Sequence, residues 1–168
     1  VGHTVHEVGH VLFTDFRSAT ERRSEWLRGV HYDERVQKRF KDKPISLSLY
    51  NALMVSIENT LEDAYIENRL SLEFSGVAMQ GISLVNSEIY RKAGTKAELL
   101  RKAAEKGLPP LVVAGQILLS RYVCKKELED GDLTPEEEVY LEFIEDVLQA
   151  AKDSIEYLLW EPNGTFRN

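Results

Sequence analysis

The chain has a single cysteine, Cys124, among 168 residues, so it can close no disulfide on itself. That fits a reducing compartment, and a cytoplasmic location is expected. Its five prolines fall between periodic stretches or at the first position of one. No segment alternates apolar and polar residues with a period of two, which argues against strands. The longest apolar run, residues 108–119, is too short to cross a bilayer, and no signal peptide is recognisable. Positive charge is in deficit: 21 Lys and Arg against 28 Asp and Glu leave a net charge of −7. The basic residues are scattered among acids, so neither nucleic acid nor an anionic membrane is expected as a partner. Repeats and low-complexity tracts are absent as well. What remains is ordinary composition, 43% apolar and 29% charged, long enough for one domain over residues 1–168 with a real core. The chain opens Val1-Gly2-His3, already inside the first turn of a helix, and therefore reads as a piece of a longer protein.

Helical periodicity fills most of the length, and the expected fold class is all-α. The spacing predicts helices over 3–15, 46–72, 77–93, 96–106, 111–128 and 135–160, with one or two more in the charged segment 17–43. Start and stop signals support several of these. Thr134-Pro135-Glu136-Glu137 supplies a cap, a proline at the first helical position and a glutamate at the third. Gly107 stands where a glycine ends a helix. In the first helix Val5, Val8, Leu12 and Phe16 form an apolar stripe at helical spacing, and Gly9 leaves room for a neighbouring element to come close.

Two of the four histidines stand in His6-Glu7-Val8-Gly9-His10. This is H-E-x-x-H. On a helix, positions i and i+4 share a face, so both imidazoles can converge on one ion, with Glu7 offset towards water at the site. Zinc in such a site lowers the pKa of water to about 7, and Glu7 is then the natural general base. Chance occurrence in a chain this short is rare, well under about one in a hundred.

A catalytic zinc site takes three protein ligands and keeps one position open. The long helix offers Asn59, Glu62, Asp63 and Glu67 on roughly one face, with Ile66 their only apolar companion. Glu62 is assigned as the third ligand, with Asp63 as the alternative. Asp63, Glu67 and Asn59 are candidates to orient His6 or His10 from behind, since a metal-bound histidine usually donates its other ring N–H to a carboxylate or carbonyl. An acidic helix face on its own is as often merely solvated.

HEVGHVLFTDF, followed about fifty residues later by NTLEDAYIE, resembles the gluzincin-type zinc metallopeptidases. More narrowly, it resembles bacterial and phage proteins in which an H-E-x-G-H…T-D…N-x-x-E-D-x-x-I-E module precedes a von Willebrand factor A domain. The matching positions are His6, Glu7, Gly9, His10, Thr14, Asp15, Asn59, Glu62, Asp63, Ile66 and Glu67. The resemblance covers residues 1–70. It implies zinc at His6 and His10, Glu7 as base, a carboxylate ligand from Glu62 or Asp63, and a peptide or protein substrate. It also implies a zincin-like core, here without the sheet that zincins carry upstream of the motif helix. The competing expectation is a non-catalytic interaction or regulatory module with a structural or vestigial metal, working beside a von Willebrand factor A or ATPase partner.

Other residues carry weaker signals. His3 lies one turn before His6 and is expected to support the site or face solvent. His31, beside Tyr32, is a remote candidate for oxyanion stabilisation, as are Tyr65, Tyr90 and Arg91. Asp15 is read as capping or bracing the end of the motif helix, with no chemical role assigned. Trp26 and Trp160 are expected in the core or an interface, and Cys124 as packing rather than a nucleophile.

Overall fold

A computed structural model describes residues 2–28, 46–74 and 76–160. Among them are seven α-helices and no sheet: α1 (Gly2–Phe13), α2 (Phe16–Leu27), α3 (Leu47–Glu73), α4 (Val77–Ala93), α5 (Lys96–Glu105), α6 (Val112–Leu118) and α7 (Pro135–Leu159). The all-α expectation holds. No described helix is long and apolar enough to cross a membrane. His31, Tyr32 and the expected helical content of 29–43 lie outside the described residues.

Local chemistry accounts for the boundaries. Ser46 caps α3 by accepting from the Leu49 N–H at 3.2 Å. Thr95 with Glu98, and Thr134 with Glu137, form reciprocal capping boxes that open α5 and α7. Gly107 ends α5 at φ +64°, with the Leu108 N–H returning to the Ala103 carbonyl, the closing bond of a Schellman turn. Asp15 caps the start of α2, accepting from the Ser18 N–H at 3.2 Å and its hydroxyl at 2.8 Å. It therefore serves the helix after the motif.

The expected helix 111–128 is shorter than its sequence suggests. After α6 the chain widens into a π-turn, Leu119–Val123, closed by the Cys124 N–H on the Leu119 carbonyl. It then doubles back, with Lys126 and Ser120 exchanging hydrogen bonds. Lys125 turns at φ +57°, and Leu128 re-enters the core from a non-helical segment. An apolar run cannot distinguish this arrangement from a continuous buried helix.

α3 is the axis of the domain. Leu61, Ala64, Tyr65, Ile66 and Leu70 are buried along it, walled by Ile82 of α4, Leu100 of α5, Ile117 of α6, and Ile144 and Leu159 of α7. α1 packs against α3 and α4, while α2 lies across the N-terminal half of α3. Gly9 makes the α1–α3 approach possible, because a Cβ there would stand 2.3 Å from Ile66 Cγ2 and 2.8 Å from Leu70 Cδ1. Of the apolar stripe, Val8 and Leu12 of the motif helix and Phe16 at the start of α2 face outwards, at 48%, 49% and 59% exposure, while Val5 packs inwards. The face that packs inwards carries Gly2, Val5, Gly9 and Phe13 together with the two histidines. Trp160 is exposed and so belongs to no core; the Trp26 side chain lies outside the described residues.

Candidate metal centre

The close approach of α1 to α3 brings three donor atoms together. His6 Nε2 and His10 Nε2 lie 3.2 Å apart, and Asp63 Oδ1 stands 3.4 Å from the first and 3.3 Å from the second. These three residues form a group that could hold a metal ion, and no fourth His, Cys, Asp or Glu joins them among the described residues. The spacing has a direct physical reading. Ligand atoms at tetrahedral angles around zinc, each at about 2.0–2.1 Å, stand about 3.3–3.4 Å from one another. The three edges of the His6–His10–Asp63 triangle match that figure, so the residues present fit the ion.

The reverse sides of both imidazoles are braced. Glu67 Oε1 lies 3.3 Å from His6 Nδ1, and Glu62 Oε1 lies 3.6 Å from His10 Nδ1. Thr14 stands beside the second pair, its hydroxyl donating to Glu62 Oε1 at 2.5 Å and lying 3.2 Å from His10 Nδ1. Glu67 is held in turn by Asn86 of α4, whose amide donates to Glu67 Oε2 at 2.6 Å and to the Val123 carbonyl at 3.2 Å. The π-turn thus presents the carbonyl that fixes Asn86. Carboxylates behind both rings orient Nε2 towards the shared point and raise the basicity of the ligand.

The expected third ligand, Glu62, is therefore not at the point where the histidines converge. Successive helical residues are rotated by about 100°, and this rotation sends Asp63 to the Nε2 side and Glu62 to the Nδ1 side of His10. Burial follows the same division, with the Asp63 side chain 29% exposed at the mouth and those of Glu62 and Glu67 only 6% and 8% exposed behind the rings. Asn59 does not orient a histidine; its Oδ1 accepts from Arg23 Nη2 at 2.7 Å.

Electrostatics reflect this concentration of acids. The His6 imidazolium is favoured by hydrogen bonding to Asp63 and then Glu67, which outweighs burial and raises its pKa to about 10. His10 is raised to about 9 by Asp63 and then Glu62 against the same opposing burial. Burial alone would push the Asp63 and Glu62 carboxyls up, but the histidines, with Thr14 at Glu62, bring both below the usual carboxylate range. The cluster is built to hold positive charge.

A solvent-open cleft of about 400 Å³ lies on the Asp63 side, lined by His6, His10, Asp63, Glu7, Asn59 and Arg23 among others. A smaller hollow of about 100 Å³ behind His6 is lined by His3 and Asn86, so His3 stands beside the site and outside the triangle. A larger cavity, about 510 Å³ between α5 and the start of α7, has none of the motif residues in its wall. The remaining oxyanion candidates are elsewhere too. Tyr65 is buried in the core, the Tyr90 hydroxyl donates to the Glu127 carbonyl, and Arg91 pairs with Glu88 on the surface. Cys124 is buried, and burial pushes its thiol up, as suits a packing residue.

Sequence reasoning missed two residues here, Asn86 and Arg23. Neither sits in a motif, and only the packing of α4 and α2 around α3 brings them to the site. Compared with protein-family models, curated proteins and solved structures, the chain matches none.

Proposed function

We propose that this domain is the zinc-binding core of a metallopeptidase, with His6, His10 and Asp63 as ligands and Glu7 as general base. The observation that carries the reading is the triangle of His6 Nε2, His10 Nε2 and Asp63 Oδ1, with edges of 3.2, 3.3 and 3.4 Å, open to a cleft on one side. A structural zinc site is closed by four protein ligands, whereas a catalytic one keeps a position for water or substrate. The three-residue group supports the catalytic reading over the non-catalytic module. When bound, the ion polarises a carbonyl and makes water acidic enough to be a nucleophile at neutral pH.

The chain's own residues divide the remaining work. Glu7 is exposed on the cleft wall, where it accepts the proton of the attacking water and returns it to the departing amine. Glu62, Thr14 and Glu67 keep the imidazoles in one tautomer and one orientation. A peptide is the natural substrate, because its neutral amide needs both the polarised carbonyl and a proton for its leaving nitrogen.

Elemental analysis of the purified chain tests the metal, and hydrolysis of a mixed peptide library tests the reaction. About one zinc per chain is expected, retained in Glu7→Gln while hydrolysis falls by a factor of about 10² to 10⁴. A Glu7→Gln chain that cleaves as well as the native one would remove Glu7 from the mechanism.

A further inference from the structure

The cleft beside the triangle carries the acids Glu7, Glu62 and Asp63 in its wall, yet Arg23 of α2 also lines it, the sole lysine or arginine to do so among the described residues. The guanidinium is held in place rather than loose. Its Nε donates to Glu58 Oε2 at 3.3 Å and its Nη2 to Asn59 Oδ1 at 2.7 Å. Glu58, whose side chain is only 1% exposed, also takes Arg22 Nε at 2.9 Å, so one buried carboxylate serves two guanidinium groups. Nothing among the described residues engages Arg23 Nη1. A positioned guanidinium that lines a cleft and has Nη1 left to donate is a site for a carboxylate.

Its placement suits a peptide. Arg23 lines the same cleft of about 400 Å³ as the ligand triangle, and its partner Asn59 stands one turn before Asp63 on α3. Successive residues of a peptide advance by about 3.8 Å. A carboxylate one or two residues beyond a carbonyl at the triangle therefore stays within that cleft.

We infer that Arg23 is a specificity-determining residue that anchors a substrate carboxylate one or two residues beyond the scissile bond. This deepens the metallopeptidase reading and rests on it. The carboxylate could be the terminal one of the peptide or an acidic side chain, and the same guanidinium chemistry recognises both.

The test uses the full chain loaded with zinc and titrated calorimetrically with 3-mercaptopropionate and with its amide. Both bind through sulfur, and only the first presents a carboxylate at the right reach. The native chain should prefer the carboxylate by about 10- to 100-fold. Arg23→Gln should lose that preference by weakening the carboxylate alone, with zinc content and amide affinity unchanged, and Arg23→Lys should keep part of it. Peptides ending in a free carboxylate, in an amide, or in an amide preceded by aspartate then separate the two sources: cleavage of the first alone assigns the terminal carboxylate, and cleavage of the first and third assigns an acidic side chain as well. Equal affinity for both thiols in the native chain, or equal weakening of both by Arg23→Gln, overturns the inference while leaving the metal site standing. A chain that takes up no zinc overturns both readings.

Discussion

At the scale of single residues, adjacent carboxylates on one helix take different tasks because of the rotation between them. Asp63 shares a point with both Nε2 atoms, while Glu62 reaches only the far nitrogen of His10. Removing Asp63 takes away one of three proposed ligands; removing Glu62 leaves all three and loosens one. Zinc titrations against a competing chelator should therefore show Asp63→Ala essentially without affinity, and Glu62→Gln weakened by about 10- to 100-fold. The opposite order would return Glu62 to the ligand position. Protons compete at the same atoms. The imidazoles of the metal-free chain hold their protons up to about 10 and about 9, and both must be neutral to bind an ion. The sign follows: apparent zinc affinity rises with pH from neutrality towards that range and falls on acidification. Titrations between pH 6 and 9 should show the logarithm of the binding constant climbing with a slope approaching two. A flat profile would mean that these protons are not displaced.

At the scale of elements, the centre depends on how closely three helices pack. α1 supplies the histidines and α3 the carboxylates, and α4 reaches the site through Asn86, which links Glu67 to the π-turn. Asn86→Ala leaves a buried carboxylate short of a donor, which costs about 1–3 kcal/mol, and frees the brace behind His6. Zinc affinity should fall by about 10- to 100-fold with helicity unchanged; unaltered affinity would show that Glu67 needs no such support. Gly9→Ala should be harsher, since the added methyl meets Ile66 and Leu70 well inside contact distance. Overpacking of this kind costs about 1–3 kcal/mol, readable as a lowered denaturant midpoint, and it pushes α1 off the carboxylates it must face.

This dependence on packing marks how far the sequence could be read. Most helices were legible, the start of α7 because Thr134 and Pro135 act within one turn, as was the meeting of His6 and His10, which spacing alone dictates; the end of α6 at Leu118 was not. The rotation that favours Asp63 was not, since 62 and 63 both fall on the same broad face until the contact of Gly9 with Ile66 fixes the approach. The outward facing of Val8 and Leu12 was not legible for the same reason: Gly2, Gly9 and the two histidines join Val5 and Phe13 on the packed face, and hydropathy gives glycine and histidine little weight. Asn86 and Arg23 carry no signature at all, because each acquires its role from an element remote in sequence.

At the scale of the whole molecule, the core and the candidate centre are separable. The largest fully buried side chains among the described residues, Tyr65, Ile66, Leu70, Val113, Ile117, Ile144 and Leu159, unite α3 with α6 and α7, and none of them belongs to the motif helix. Zinc would tie α1 to α3 without being needed to assemble the rest. A metal that binds only the folded chain stabilises it by mass action, about 2.7 kcal/mol when free zinc is a hundred times its dissociation constant. For a domain of this size each kcal/mol moves the melting temperature by about 2–4 °C. Chelation should accordingly lower the melting temperature by about 5–11 °C while the helical circular dichroism at 25 °C stays nearly unchanged. A small structural zinc domain behaves in the opposite way and unfolds when its metal is withdrawn. Melting scans with and without EDTA therefore separate the two roles without any substrate. Loss of helicity on chelation at 25 °C would make the ion part of the fold and shift the balance to the non-catalytic module, whereas a modest shift with the fold retained is what a preformed, open site requires.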